Sequence, residues 1–347
     1  MRISLFHLPS FFPQLHDSEY EFYQNMLLET DKAEEYGFHS VWFAEHHFYH
    51  YGGHIPSVPV LGTAVAQRTT NIRIGSGIAL LTLQDPIRIA EEFAMLDCLS
   101  GGRLEFGIGR GFQRGEFDAF ERDMGDSRRL FEEAHDIIMR AWTEPRFSYR
   151  GRFRTVTDLQ VLPKPVQKPP PVYVACIFTP ESFEWTGKQG YHLMVVPYAA
   201  AKPETLIDRI TLFRDTRTAH GHTDAAEVLG VYHFYCGETP EKAKREPQAA
   251  MMRYIESVQK ANPESAYSEQ YAAYKNLRKG FEAMDYENYL YPQRVLFGDP
   301  EQCIERIRHI KASGITNVSL LADFGGLPRQ QILASLDRFG KHVLPHI

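Results

Sequence analysis

Three consecutive residues, Glu45-His46-His47, place a carboxylate beside two imidazoles in the segment Trp42-Phe43-Ala44-Glu45-His46-His47-Phe48. Such a trio suits proton transfer at neutral pH or metal ligation. The metal reading meets a geometric obstacle. Neighbouring side chains on an extended strand point to opposite faces, so His46 and His47 do not readily share one ion, and one is expected to face a pocket while the other packs. A second group of residues suits an anion. Arg110 stands between glycines in Gly107-Ile108-Gly109-Arg110-Gly111, and Arg128 follows Gly125-Asp126-Ser127 at the start of a helical pattern. A guanidinium offers a fork to phosphate. A cation in a helix's first turn is disfavoured by the helix dipole unless an anion joins it. Thr179 and Ser182 flank Pro180-Glu181. They read equally well as helix capping and as hydroxyls around an anion. Together these residues suggest a phosphorylated cofactor whose flat part reaches glycine-rich strands. Gly75-Ser76-Gly77-Ile78 is one such strand, and its glycines suit either close approach of a ligand or a bulge that helps close a sheet.

Apolar runs of strand length alternate with stretches of helical period, the pattern of parallel βα units. Strands are expected at 3–8, 40–44, 72–80, 104–108, 172–177, 193–196, 228–236 and 317–322. Helices are expected at about 20–36, 59–67, 126–142, 203–220 and 328–342, with another opening at Asp85-Pro86. Eight strand–helix pairs favour an α/β fold of the (β/α)8 TIM-barrel type over an open sheet, as one domain over residues 1–347. Insertions are expected after strands 4 and 7. The first, about 143–171, is proline-rich with a hairpin tip near Tyr149–Phe153. The second, about 247–293, is polar and tyrosine-rich, and its length suits a lid. Barrel active sites form at the C-terminal ends of the strands, which is where Glu45, His46, Arg110 and Thr179 fall.

The 347 residues carry a formal net charge of −6 with no dense basic run, so nucleic-acid binding is not expected. No apolar stretch approaches a membrane span and no secretory leader is legible at the start, so the expected location is cytoplasmic. The four cysteines, Cys98, Cys176, Cys236 and Cys303, form no C-x-x-C pair. The 13% aromatic content fits a flat cofactor in an apolar pocket, although aromatics commonly serve only as core.

Several segments, in order, carry a family resemblance: V-W-F-A-E-H-H-F (41–48), N-I-R-I-G-S-G-I-A-L (71–80), D-P-I-R-I-A-E-E (85–92), G-G-R-L-E-F-G-I-G-R-G (101–111), D-M-G-D-S-R (123–128), P-V-Y-V-A (171–175), F-G-D-P-E-Q-C-I (297–304) and S-G-I-T-N-V (313–318). The chain resembles the bacterial-luciferase-like flavin-dependent monooxygenases, and within them the luciferase alpha subunit. The resemblance implies a barrel that takes reduced FMN from a separate NAD(P)H:flavin reductase and reacts it with O2. The resulting flavin C4a-hydroperoxide would oxidise a small organic substrate such as an aldehyde or ketone. His46 matches the family's catalytic histidine, with Glu45 beside it. Gly77-Ile78 matches a non-proline cis peptide beneath the flavin ring. Arg110, Arg128, Thr179 and Ser182 match phosphate-holding positions, and His47 and Glu91 match residues of a dimer interface, which implies a homodimer. Gly109 departs from the pattern. Luciferase has a reactive cysteine there, and its absence removes bulk near the flavin and argues against light emission. Alternatives on the same barrel are a dehydrogenase using deazaflavin F420, a metal-dependent hydrolase using Glu45, His46 and His47, and a flavin-binding protein without activity.

Overall fold

The computed structural model describes residues 1–177, 179–197, 203–262 and 285–347. Eight parallel strands follow one another around a closed barrel: β1 (Arg2–His7), β2 (Ser40–Phe43), β3 (Arg73–Ser76, resuming at Ala79–Leu80), β4 (Leu104–Gly109), β5 (Val172–Cys176), β6 (His192–Val195), β7 (Val228–Cys236) and β8 (Asn317–Leu321). Closure comes from β6 pairing with β7, β7 with β8 and β8 with β1. A ninth short strand, Leu296–Gly298, extends the far end of β7 in parallel. The fold is therefore the expected TIM barrel.

Local sequence explains where the surrounding helices start. Helix α1 (Glu19–Glu35) opens on Ser18, whose side chain accepts the Glu21 amide, and α3 (Pro86–Leu99) opens on Asp85 with proline in its first turn. Helix α2 (Val58–Arg68) lies between them in the chain. Helix α4 (Ser127–Thr143) buries Phe131, Ala134, Ile137, Ile138 and Ala141 on one face. The helix Pro300–Ala312 carries a reciprocal capping box between Asp299 and Gln302.

The excursion after β4 contains an antiparallel hairpin, Phe147–Arg150 with Thr155–Leu159, whose turn includes Gly151. The stretch after β7 differs from a plain loop. Gln248–Ala261 is a helix with Met251, Tyr254, Ile255 and Val258 buried against the barrel. Their 3- and 4-residue spacing is helical, a period masked in the sequence by intervening polar residues. The middle of the expected lid, 263–284, lies outside the described residues.

Inward-facing residues alternate along each strand and stack in layers. At the N-terminal ends a polar layer closes the floor. Ser4 bonds Ser40 and Asn317 at 2.8 and 2.9 Å, Asn317 donates to Glu227 at 2.8 Å, and the Tyr173 hydroxyl donates to Glu227 at 3.0 Å. Above it lies Trp42, its indole edge-on to Tyr173 and its N–H donated to Ser40 at 2.8 Å. The next layer up is the wall of the main cavity.

Candidate active site

The cavity opens at the C-terminal ends of the strands and contains about 1560 Å3 of empty space, including its open mouth. Every strand contributes: Phe6 in and Leu8 just past β1, Ala44 and His46 past β2, Gly77 and Ile78 in the break of β3, Gly109 and Arg110 at β4, Val174 and Ala175 in β5, Met194 in β6, Val231 in β7 and Leu321 in β8. Arg128, Phe131 and Glu132 enter from α4, and Thr179, Ser182 and Trp185 from the helix α5 (Pro180–Lys188). His46, Arg110, Arg128, Thr179 and Ser182 thus line one chamber.

Two of the lining hydroxyls bond each other, Thr179 Oγ1 to Ser182 Oγ at 2.8 Å. Thr179 occupies the N-cap position of α5, yet its side chain makes no capping bond. Capping therefore does not account for this residue, and the hydroxyl pair faces the cavity in its own right. Arg128, in the first turn of α4, has Glu132 one turn along at 3.9 Å. Arg110 is fixed at its backbone, where its carbonyl accepts the Thr82 hydroxyl at 2.7 Å. Its charge is felt at the end of β5. Burial pushes the Cys176 thiol up to about 12, and both the Thr186 hydroxyl and Arg110 pull it back in part.

The glycines around the cavity floor have specific packing causes. A side chain at Gly75 would overlap the indole of Trp42, and one at Gly107 would overlap the Ser76 carbonyl. Gly75 is thus explained by protein packing, not by ligand approach or a bulge. At Gly77 a Cβ would come within 2.6 Å of the Phe6 ring. The Gly77–Ile78 peptide is cis, and β3 breaks at these two residues. Gly109 does not leave open bulk. The end of the Ile78 side chain fills the place its Cβ would take.

The three residues at the end of β2 diverge. His46 lines the cavity, with the rings of Tyr51 at 5.0 Å and Phe112 at 6.0 Å. His47 packs edge-on against Phe120 at 4.8 Å. Glu45 lines the same cavity as His46 and is buried: it accepts the Leu80 amide at 3.1 Å and the Gln84 amide at 2.5 Å, and lies 3.2 Å from His47 Nε2. These bonds tie the end of β2 to the segment after β3. Among the described residues no group of three or more His, Cys, Asp or Glu side chains is arranged to hold a metal. Glu91 lies on α3, paired with Arg88 at 3.1 Å.

Two functional neighbours escaped the sequence. Glu116, fully buried, stands 3.0 Å from His46 Nδ1, and Gln113 Nε2 stands 3.1 Å from the same nitrogen. Both belong to Gly111-Phe112-Gln113-Arg114-Gly115-Glu116, directly after Arg110, on and just before the short helix Arg114–Ala119. The only signal available was a glutamate seven residues beyond the end of β4 at Gly109. Nothing in the chain marks it as turning back toward residue 46.

Residues 1–317 match the family model described as luciferase-like monooxygenase. The chain belongs to the luciferase-like monooxygenase family. The alkanal monooxygenase alpha chain of Aliivibrio fischeri is 26% identical over 326 residues, covering 90% of this chain and 89% of that one. The oxygenase component of the flavin-dependent trigonelline monooxygenase of Acinetobacter baylyi is 26% identical, covering 99% and 95%. This chain spans only about half the length (51% and 54%) of two uncharacterized Sinorhizobium fredii proteins that it matches at 30% and 36% identity. A shorter match, 33% over 150 residues, covers 42% of this chain and 45% of an F420-dependent glucose-6-phosphate dehydrogenase of Amycolatopsis mediterranei. Among solved structures, monooxygenase RslO1 from Streptomyces bottropensis superposes with a TM-score of 0.86 at 28% identity, covering 100% of this chain and 99% of that one.

Proposed function

We propose that the chain is the oxygenase of a flavin-dependent pair, taking reduced FMN from a separate NAD(P)H:flavin reductase and using O2 to oxidise a small, largely apolar organic molecule. The observation that carries this reading is that Arg110, Arg128, Thr179 and Ser182 line the same cavity as His46. Two guanidinium groups and two uncapped hydroxyls match the charge and hydrogen-bonding demand of a phosphate monoester. Gly77 and Ile78, in the break of β3, line the same cavity and would border the planar ring. Bound there in reduced form, the flavin supplies the electrons that activate O2.

The chain's own residues do the rest. Arg110 and Arg128 bind the phosphate and so set the depth of the ring. His46 handles protons at the reacting face. Glu45 fixes the loop that carries His46. Phe6, Leu8, Met194, Val231 and Leu321 keep the neighbouring space apolar, which favours an uncharged substrate and excludes water. Family relatives of oxygenase type support the reductase partner. A homodimer through the surface near His47 and Glu91 is part of the same reading. Exposed Val60 on α2, and Met95 and Leu99 on α3, give apolar area for it.

The decisive experiment is His46→Ala assayed with reduced FMN and a panel of ketones and aldehydes. FMN binding should persist while substrate oxidation falls by roughly 10²- to 10⁴-fold, with O2 appearing instead as hydrogen peroxide. Unchanged turnover would remove His46 from its role. The F420 reading has the Amycolatopsis similarity in its favour, and anaerobic titration separates the two. An FMN enzyme binds reduced FMN and then consumes O2 on mixing, whereas an F420 dehydrogenase reduces its cofactor with an alcohol and leaves O2 untouched.

A further inference from the structure

A histidine that manages protons works from one ring nitrogen, and which nitrogen is free depends on what holds the other. Here the holder can be identified. Glu116 Oε1 accepts the backbone N–H of His47 at 2.9 Å and at the same time lies 3.0 Å from His46 Nδ1. A backbone amide can only donate, so Oε1 presents lone pairs at this point. The other carboxyl oxygen, Oε2, is sealed from solvent without a hydrogen-bond partner and points elsewhere. Facing an acceptor, Nδ1 must carry the proton. Gln113 also approaches Nδ1, with its amide nitrogen placed at 3.1 Å and its amide oxygen sealed without a bond. The two ends of a glutamine amide are interchangeable by rotation, so the stronger neighbour decides. A hydrogen bond to a carboxylate is stronger than one between neutral groups. The carboxylate wins, and the glutamine turns its oxygen toward the ring.

We propose that Glu116 is the positioning residue of this site, holding the His46 proton on Nδ1 so that Nε2 offers its lone pair to the cavity. This rests on the assignment of His46 as the proton-handling group. Among the described residues none bonds Nε2 in the way Glu116 and Gln113 engage Nδ1. His46 then accepts a proton at Nε2 and gives it back from the same atom, while its Nδ1–H stays on Glu116. No proton reaches the glutamate, and charge balances as a transient imidazolium beside a carboxylate. Because Glu116 also holds the His47 amide, one side chain fixes both the backbone after His46 and the direction of its ring.

The test is ¹⁵N NMR of the flavin-free protein with ring-labelled histidine, the His46 signals being assigned by their loss in His46→Ala. The neutral ring should show a protonated Nδ1 and an unprotonated Nε2. In Glu116→Gln the carboxamide can donate, the proton should move to Nε2, and turnover should drop by roughly 10²- to 10⁴-fold with FMN affinity kept. Glu116→Asp should keep the proton on Nδ1 and restore part of the turnover, and if Glu116→Gln does not fold, this variant and the parent spectrum decide the matter. A parent ring protonated on Nε2, or a Glu116→Gln protein with unaltered ring signals, would overturn the proposal. Absence of FMN binding in the parent would defeat the flavin reading instead, leaving the ring spectrum to report on Glu116 alone.

Discussion

At the scale of single residues the proposed site has a charged end and a proton-handling end. The charged end depends on few groups, so each should matter. Arg110→Ala removes a charged hydrogen-bond donor worth roughly 1.5–3 kcal/mol, and FMN affinity measured by flavin fluorescence quenching should fall by one to two orders of magnitude. Equal affinity in variant and parent would detach Arg110 from the phosphate. Arg128→Ala should act in the same direction and less strongly. Its guanidinium is already engaged by Glu132 at 3.9 Å, so binding the phosphate requires it to exchange partners. Gly109 belongs at this scale too. With the Ile78 side chain occupying its Cβ position, a cysteine at 109 would need Ile78 to change rotamer, so the residue is a matter of packing as much as of chemistry.

At the scale of elements, the barrel strands serve the site by what they leave out. Trp42 on β2 spans the barrel interior and fills the room opposite Gly75 on β3, to which it is paired in register. Gly75→Ala would drive a methyl group into the indole. Overpacking of this kind costs about 1–3 kcal/mol, and the loss should appear as a lower urea midpoint with an unchanged slope. Stability equal to the parent would mean that the indole has space to shift. The cavity floor would move with Trp42, so FMN affinity in Gly75→Ala should fall as well. The helix Gln248–Ala261 is the complementary case, an element whose buried face (Met251, Tyr254, Ile255, Val258) docks beside the barrel mouth and places Val258 in the cavity wall.

At the scale of the whole molecule, buried histidines couple stability to pH. His233 on β7 is fully buried, its ring 4.3 Å from Tyr254 and 5.3 Å from Phe324, and burial lowers its pKa to about 3. In the unfolded chain the same imidazole titrates near 6.5. Below that value the unfolded state takes up a proton that the native state refuses, so the native state loses stability as pH falls from about 6.5 toward 3. His7, also lowered to about 3 by burial, acts in the same sense. Asp323 acts in the opposite one. Burial raises it to about 7, so its contribution is fully present below the unfolded value near 3.8 and is lost as pH rises toward 7. His233→Phe isolates one contribution. The slope of unfolding free energy against pH between 4 and 6 should become less positive by about 1.4 kcal/mol per pH unit, read from urea titrations at three pH values. An unaltered slope would show that His233 already takes up its proton in the folded state.

Much of the architecture was legible in the chain because it depends on local periods and capping chemistry. The eight strand runs, the Asp85-Pro86 helix start and the divergence of His46 from His47 follow from rules that act within a few residues. That Arg110 and Thr179 line one cavity with His46 was legible from their places just past strand ends, since a barrel gathers those ends on one face. Tertiary structure alone decided the rest. Trp42 accounts for Gly75, Ile78 fills the space at Gly109, and Thr179 turns its hydroxyl to Ser182 instead of capping. Glu116 meets His46 across 70 positions of chain. Each of these depends on which side chains meet across the barrel, and close packing fixes that only once all the strands are in place.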